Sequence, residues 1–364
     1  VTRVLILKTA ALGDVLRTTS ILPGLAARHP NLDVTWVTAP EARELVSAHP
    51  LVRRVEVVRA EDAEQVRRLG EQLGTETWDL VLSFDDELPM CRLASAIGSD
   101  GLSGAFVGPD GRRAYTDDVD PWFGMGLLAR DGRVAADRSK RENGRSHAAI
   151  FAEMLDIPVG RPELPIDPVR VDAARFDLGL DEQPPHWPRI GLNTGAGSRW
   201  PTKAIPVERV VELVDLLHVR HDGEVVFLLF GGPDEINRNR EILGGIERLP
   251  GDVRVIDAGV ENALLDFAAQ IDTCDVLVTS DSLGMHVAIA RAVPVVAFFA
   301  PTSAAEIELY DAGEKVVSTS ADYCSYRTDA DNSSITAERL AEAALRVLES
   351  ARGRRPLARD SEGA

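Results

Sequence analysis

The feature that most constrains this chain is a structural rhythm that runs twice. Short β-branched and aliphatic runs alternate with stretches of helical period. In the first half the strand candidates are Val4–Leu7, Val34–Val37, Val55–Val58 and Leu80–Ser83, with helical patterns at Val15–Arg28 and Ala63–Leu73 between them. A second series supplies Ile190–Asn193, Val225–Phe230, Val253–Ile256, Val276–Thr279 and Val295–Phe299, and ends in a helical pattern at Ile335–Glu349. Strands separated by helix-length segments cannot pair as hairpins. They must cross over and pair in parallel, with helices covering both faces of the sheet. The expected class is therefore α/β, with two Rossmann-like domains built on parallel sheets.

Between the two series the pattern breaks. Seven prolines fall between Ile157 and Pro188. Proline lacks the N–H that ladders and helix interiors need, so this stretch reads as a connection. The predicted organisation is a first domain at 1–165, a proline-rich linker at 166–188, a second domain at 189–350 and a flexible tail at 351–364. Two such domains would face a central cleft lined by the C-terminal ends of their strands, where ligands of open α/β sheets bind.

Composition narrows the function. The 364 residues carry a formal charge of −18, which argues against a general nucleic-acid binder, because polyanions demand a positive footprint. Any anionic ligand must be held by a local site against the overall field. No run approaches the ~18 apolar residues of a membrane span, and the N-terminal residues read as a strand, so the sequence-level expectation is a cytoplasmic protein. Three scattered cysteines, Cys91, Cys274 and Cys324, form neither a disulfide framework nor a zinc spacing.

Four motifs follow strands and can carry chemistry. Lys8-Thr9-Ala10-Ala11-Leu12-Gly13-Asp14-Val15 joins the first strand to the first helix. Gly13 would permit a tight turn and close ligand approach. Asp14 is either a general base for an attacking hydroxyl or a helix N-cap. The loop from Asn193 to Lys203 contains Thr194, Gly195, Gly197, Ser198 and Arg199. Its small residues expose N–H groups, and Arg199 and Lys203 add charge suited to a diphosphate; a solvated loop is the plainer reading. Phe230-Gly231-Gly232-Pro233-Asp234-Glu235 offers a carboxylate for a ribose diol, or an acid favoured at a helix start. Ser280-Asp281-Ser282-Leu283-Gly284-Met285-His286 opens a helix whose first amides would face the ligand. Asp281 has a capping alternative, and His286 could face either the ligand or the sheet.

Two further features are weaker. Asp85-Asp86-Glu87 invites a hard cation, with a solvated acidic loop as the simpler account. Six basic residues lie between Arg130 and Arg145, opposed by Asp131, Asp137 and Glu142. Among them Arg138 and Arg141 are candidates for holding an anionic acceptor, against the reading of a solvated basic stretch. No strand is followed by Gly-x-Gly-x-x-Gly, which disfavours a nicotinamide enzyme.

Taken together, the Gly13-Asp14-Val15 loop, the segment Gly197-Ser198-Arg199-Trp200-Pro201-Thr202-Lys203, Gly231-Gly232-Pro233-Asp234-Glu235 and Asp281-Ser282-x₃-His286 resemble glycosyltransferase family 9, in order and spacing, from about residue 3 to about residue 350. The resemblance implies a GT-B fold, with acceptor binding in the first domain and nucleotide-sugar binding in the second. It implies an inverting transfer with no cofactor and no obligatory metal. Asp14 then looks like the family's catalytic base, Lys203 like its phosphate-binding lysine, and Asp281, Ser282, Leu283, Gly284 and His286 like its donor-binding turn. Gly13, Thr194, Gly195, Gly197, Ser198, Arg199 and Glu235 complete the expected nucleotide-sugar contacts. The implied donor is ADP-heptose. The implied acceptor is a hydroxyl of a glycan, lipid-linked or small molecule, with peripheral membrane contact where the acceptor is lipid-linked. Two other readings share this architecture: a nucleotide-sugar epimerase and a non-catalytic nucleotide-sugar-binding protein.

Overall fold

The computed structural model describes residues 1–126, 131–197 and 200–354. The chain divides into two compact units. The first holds Val1–Pro165 together with Ala305–Glu308, and the second holds Ile166–Ala304 and the chain from Leu309 onward.

The first unit is built on β1 (Thr2–Leu7), β2 (Leu32–Thr38), β3 (Val52–Val57), β4 (Leu80–Ser83), β5 (Leu102–Val107) and β6 (Arg113–Tyr115), in the order β3-β2-β1-β4-β5-β6. The pairings through β5 are parallel. β6 joins the edge as an antiparallel hairpin partner of β5, a departure from the all-parallel expectation. In the second unit β7 (Arg189–Asn193), β8 (Val226–Leu229), β9 (Arg254–Asp257), β10 (Val276–Ser280), β11 (Val295–Phe299) and β12 (Gly313–Val317) form a sheet of order β12-β11-β10-β7-β8-β9. All five of its pairings are parallel.

Burial explains why these runs are strands. Every residue of β7, β10 and β11 is buried, as expected of central parallel strands covered on both faces. One face of the second sheet packs Ile190, Leu192, Phe227 and Val278 against Leu213, Leu217 and Leu340. In the first unit Leu5, Leu7 and Val81 pack with Leu69, Leu73 and Leu93.

Three local expectations are corrected. The Val15–Arg28 pattern is two helices, Leu12–Thr18 and Ile21–Arg28. In one continuous helix the Pro23 ring would clash with the Thr19 carbonyl; the break places Pro23 in the first turn of the second helix, where proline is tolerated. The proline-rich stretch is not a bare linker. It contains the helix Pro168–Asp177, whose N-cap Asp167 accepts a hydrogen bond from the Val169 amide at 3.0 Å, and Pro168 stands at the first position, where a missing N–H costs nothing. The last helix runs Ala337–Arg354 rather than ending at Glu349.

Both sheets change winding direction between two adjacent strands. In the first unit these are β1 and β4; in the second they are β7 and β10. The loops leaving these four strands are the ones that carry most of the candidate chemistry, at the position where open α/β sheets take ligands.

Candidate functional site

In the second unit the loop after β7 and the turn after β10 are tied to each other. Asn193 ends β7, and its Nδ2 donates to Thr279 Oγ1 and to Ser282 Oγ, both at 3.0 Å. Ser280 Oγ donates to the Gly195 carbonyl at 2.8 Å. Lys203 Nζ donates to the Asp281 carbonyl and to Asp281 Oδ2, each at 2.8 Å. A cation from one loop therefore stands on the carboxylate of the other. Burial alone would raise the Asp281 pKa. The Lys203 ammonium, His286 and hydrogen bonds from Lys203 and Thr302 outweigh burial and hold it well below the usual carboxylate range.

Asp281 is not a helix cap. Ser282 occupies the N-cap of the helix Leu283–Ala290, one residue later. The first amides of that helix open beside the Lys203–Asp281 pair, a setting suited to anionic oxygens. His286 is buried, with Nε2 3.9 Å from Asp281 Oδ1, so it is turned toward the turn. A Cβ on Gly284 would sit 2.4 Å from Asn193 Nδ2; the absent side chain lets this helix start against β7.

The loop after β7 is shaped by Glu235. Its Oε1 accepts from the Gly197 amide at 2.7 Å and its Oε2 from the Gly232 amide at 2.8 Å. The carboxylate is buried, joins two glycine loops and stands at the start of the helix Ile236–Ile246, as the helix-start alternative had it. Gly197 has φ +66°, and a Cβ on Gly195 would fall 2.4 Å from Glu235 Cγ, so both positions require glycine. Thr194 is buried and accepts from Arg238 at 3.1 Å, while Arg238 also donates to the Ile205 carbonyl at 2.6 Å. Asn332 Nδ2 holds the Thr202 and Ala204 carbonyls at 3.1 and 2.8 Å. Ser198 and Arg199 lie outside the described residues.

In the first unit Asp14 is the third residue of the helix Leu12–Thr18, whose N-cap is Ala11. The capping alternative is corrected in position and not in kind: Asp14 is not the N-cap residue, but its carboxylate accepts from the Ala11 amide at 3.4 Å from the third helical position, and it also pairs with Arg17 at 2.8 Å. Gly13 lies in the first turn of the same helix and not in the separate tight turn expected of it; it belongs to the first unit, whereas the other nucleotide-sugar candidates belong to the second.

The acidic triplet after β4 is likewise not a solvated loop. Asp85 is buried and accepts from Lys8 Nζ, the Thr9 amide and Thr9 Oγ1. Asp86 accepts from the Tyr115 hydroxyl at 2.9 Å and lies 3.6 Å from Arg113, and Glu87 is exposed. Among the described residues no cluster of His, Cys, Asp and Glu has the grouping to hold a metal ion. Arg138 and Arg141 are exposed on the helix Arg133–Glu142, while Lys140 is buried. Arg130 lies outside the described residues.

The residues that sequence reasoning missed are mostly supporting ones. Asn193 and Lys8 stood in quoted motifs without a role. Arg17 was accessible through its i,i+3 spacing from Asp14. Arg238, Thr302, Glu306 and Asn332 had no local signal.

The family described as glycosyltransferase family 9 (heptosyltransferase) matches residues 66–335. Lipopolysaccharide heptosyltransferase 1 of Pseudomonas aeruginosa is 26% identical over 320 residues, covering 83% of this chain and 79% of its own length. A solved glycosyl transferase family 9 structure from Veillonella parvula superposes with a TM-score of 0.75 at 20% identity, over 96% of this chain and 98% of that one. The E. coli heptosyltransferase WaaC, solved with ADP-2-deoxy-2-fluoro heptose, gives a TM-score of 0.60 at 19% identity, over 96% of this chain and 99% of that one. The fold is GT-B. Among the described residues no helix is long and apolar enough to cross a membrane.

Proposed function

The chain belongs to glycosyltransferase family 9, and from that premise we propose that it transfers a heptose from ADP-heptose to an acceptor hydroxyl with inversion, Asp14 acting as base and Lys203 as the principal diphosphate ligand. The observation that carries the donor assignment is the Lys203–Asp281 bridge, because it sets a cation beside the helix amides that follow β10. As the acceptor oxygen attacks the anomeric carbon, Asp14 takes its proton. Charge then builds on the departing diphosphate, where Lys203 and the amides after Ser282 stabilise it. Thr194, Gly195 and Gly197 are the donor contacts of the loop after β7, to which the motif adds Ser198 and Arg199 from outside the described residues; Leu283, Gly284 and His286 complete the turn. Glu235 supports this loop from behind. These groups supply the positive field without a divalent cation.

The test is release of ADP from ADP-heptose by the purified chain, with and without a glycan acceptor and with a chelator present. Acceptor-dependent, chelator-resistant release with formation of a glycoside is expected. Interconversion of the nucleotide sugar without acceptor would indicate an epimerase instead. Binding without turnover across a broad acceptor panel would indicate a binding protein.

Lys203→Ala is expected to weaken ADP binding and slow transfer by about 1–3 kcal/mol, the range for losing a charged hydrogen bond. Calorimetric ADP affinity and turnover both equal to the parent's would remove Lys203 from the site.

The acceptor is proposed to carry an anionic group recognised by Arg138 and Arg141. Both are exposed and, among the described residues, neither has an ion-pair partner that would hold it elsewhere. Each substitution to alanine should raise KM for a phosphorylated or carboxylated acceptor several-fold, and more at low salt, since exposed charges are screened. Equal use of neutral and anionic acceptors, with no change in either variant, would reject this.

A further inference from the structure

We infer that Arg17 and Glu306 are positioning residues for the Asp14 carboxylate. The inference rests on the reading of Asp14 as the base and deepens it.

The arrangement is graded in exposure. The Asp14 side chain is 38% exposed, whereas those of Arg17 and Glu306 are 15% and 11% exposed. One end of the Arg17 guanidinium lies 2.8 Å from Asp14 Oδ1, and its NH1 lies 3.9 Å from Glu306 Oε2. Its Cζ stands 5.0 Å from the centroid of the Trp122 ring, within reach of a cation–π attraction. Trp122 is held in turn by edge contacts with His147 at 4.9 Å and Phe151 at 5.4 Å, and His147 stacks on Phe151 at 4.0 Å. The same His147 gives its backbone amide to the Glu306 carbonyl at 2.8 Å. The Glu306 carboxylate and the Trp122 ring thus hold the guanidinium on two sides besides Asp14, and His147 ties both of these neighbours together.

The fixing decides two things. A planar guanidinium facing a lone carboxylate tends to a bidentate fork, which would occupy both oxygens of a base. Glu306 competes for the same guanidinium and draws its second nitrogen toward itself. The contact at Oδ1 sets the direction of the Asp14 carboxylate, and a functional group held by packed, hydrogen-bonded neighbours keeps the geometry its reaction needs. Glu306 arrives from Ala305–Glu308, a segment between β11 and β12 that belongs to the first unit.

The test uses Arg17→Met, Arg17→Lys and Glu306→Gln in the full chain, with melting temperature, ADP affinity, donor KM and single-turnover rate measured for each. Misplacing a reacting group by about an ångström costs about 10²-fold. Arg17→Met should therefore lower the transfer rate about 10²-fold with donor KM unchanged. Arg17→Lys should recover part of it, and Glu306→Gln should lower the rate about tenfold by the same argument. In an Asp14→Asn background the Arg17→Met loss should vanish, because residues acting through one group are not additive. A rate within threefold of the parent for both Arg17→Met and Glu306→Gln, in proteins that melt normally, overturns the inference. So does an undiminished Arg17→Met loss in the Asp14→Asn background. An Asp14→Asn variant that transfers at nearly the parental rate instead defeats the underlying assignment of the base, so the two failures are distinguishable.

Discussion

Replacement of Asp14 by asparagine is expected to reduce single-turnover transfer by about 10²–10⁴-fold, the usual contribution of a general base. Fold and donor binding should persist. The asparagine side chain is nearly isosteric with aspartate, and its oxygen can still accept the long 3.4 Å contact from the Ala11 amide. The lost Arg17 ion pair is partly exposed, so its removal should alter stability by no more than about 1 kcal/mol. With ADP bound in the second unit, as proposed, its affinity for Asp14→Asn should equal that for the parent. The measurement pairs single-turnover kinetics with thermal melting and ADP calorimetry. A variant that melts and binds normally yet transfers within about tenfold of the parent, below that catalytic range, would leave Asp14 a structural residue of the first helical turn.

The second large effect is on stability. Asp85→Ala should destabilise the first unit by about 3–5 kcal/mol, the cost of leaving one member of a buried ion pair uncompensated. The Lys8 and Asp85 side chains are only 12% and 3% exposed. The same carboxylate also holds the Thr9 amide and Thr9 Oγ1, so the substitution strands a buried cation and frees the loop leading to Asp14. Burial alone would lower the Lys8 pKa, but Asp85 and Asp14 together raise it above its ordinary 10.5. A raised folded-state pKa for a base gives stability that is fully present below the unfolded value and fades as pH rises through the folded one. The contribution of the Lys8 charge is therefore fully present at neutral pH and fades in strong alkali. Denaturant unfolding of Asp85→Ala at pH 7 is the check, and a loss under about 1 kcal/mol, well short of the cost of an uncompensated buried charge, would show that the loop relaxes around the missing carboxylate.

Asp85 also illustrates where sequence reading stops. Three consecutive acids suggest a solvated loop or a cation site, since a carboxylate is costly to bury unless paired. Its partner, Lys8, is 77 residues away, and only the parallel pairing of β1 with β4 brings the two strand ends together. Glu235 is similar. The motif left it open between a ligand carboxylate and a helix-start acid; it stands at the start of the helix Ile236–Ile246, and because β7 and β8 run side by side their loops converge so that it accepts from the amides of Gly197 and Gly232.

Other features were legible because their causes are local. Strand position follows from runs of buried aliphatic residues, and crossover connections follow from the helix-length segments between them. Hence the predicted β1, β4, β7, β10 and β11 overlap the observed strands closely. Short edge strands such as β6 and β12, with mostly half-buried residues, carry little hydrophobic pattern and escaped notice. The motifs after β1, β7 and β10 stood out because small and charged residues cluster there directly after aliphatic runs, and the structure has each run as a strand.

The sequence by itself determined the α/β class, the motif-bearing loops at the strand ends and the family to which the chain belongs, because periodicity, turn-forming residues and motif spacing are properties of neighbours along the chain. Only the tertiary structure decided the partners. Lys203 meets Asp281, Glu235 meets two glycine amides, and Arg17 meets Glu306. Charge complementarity acts through space over a few ångströms, and sheet order, which no single segment encodes, sets which distant residues come that close.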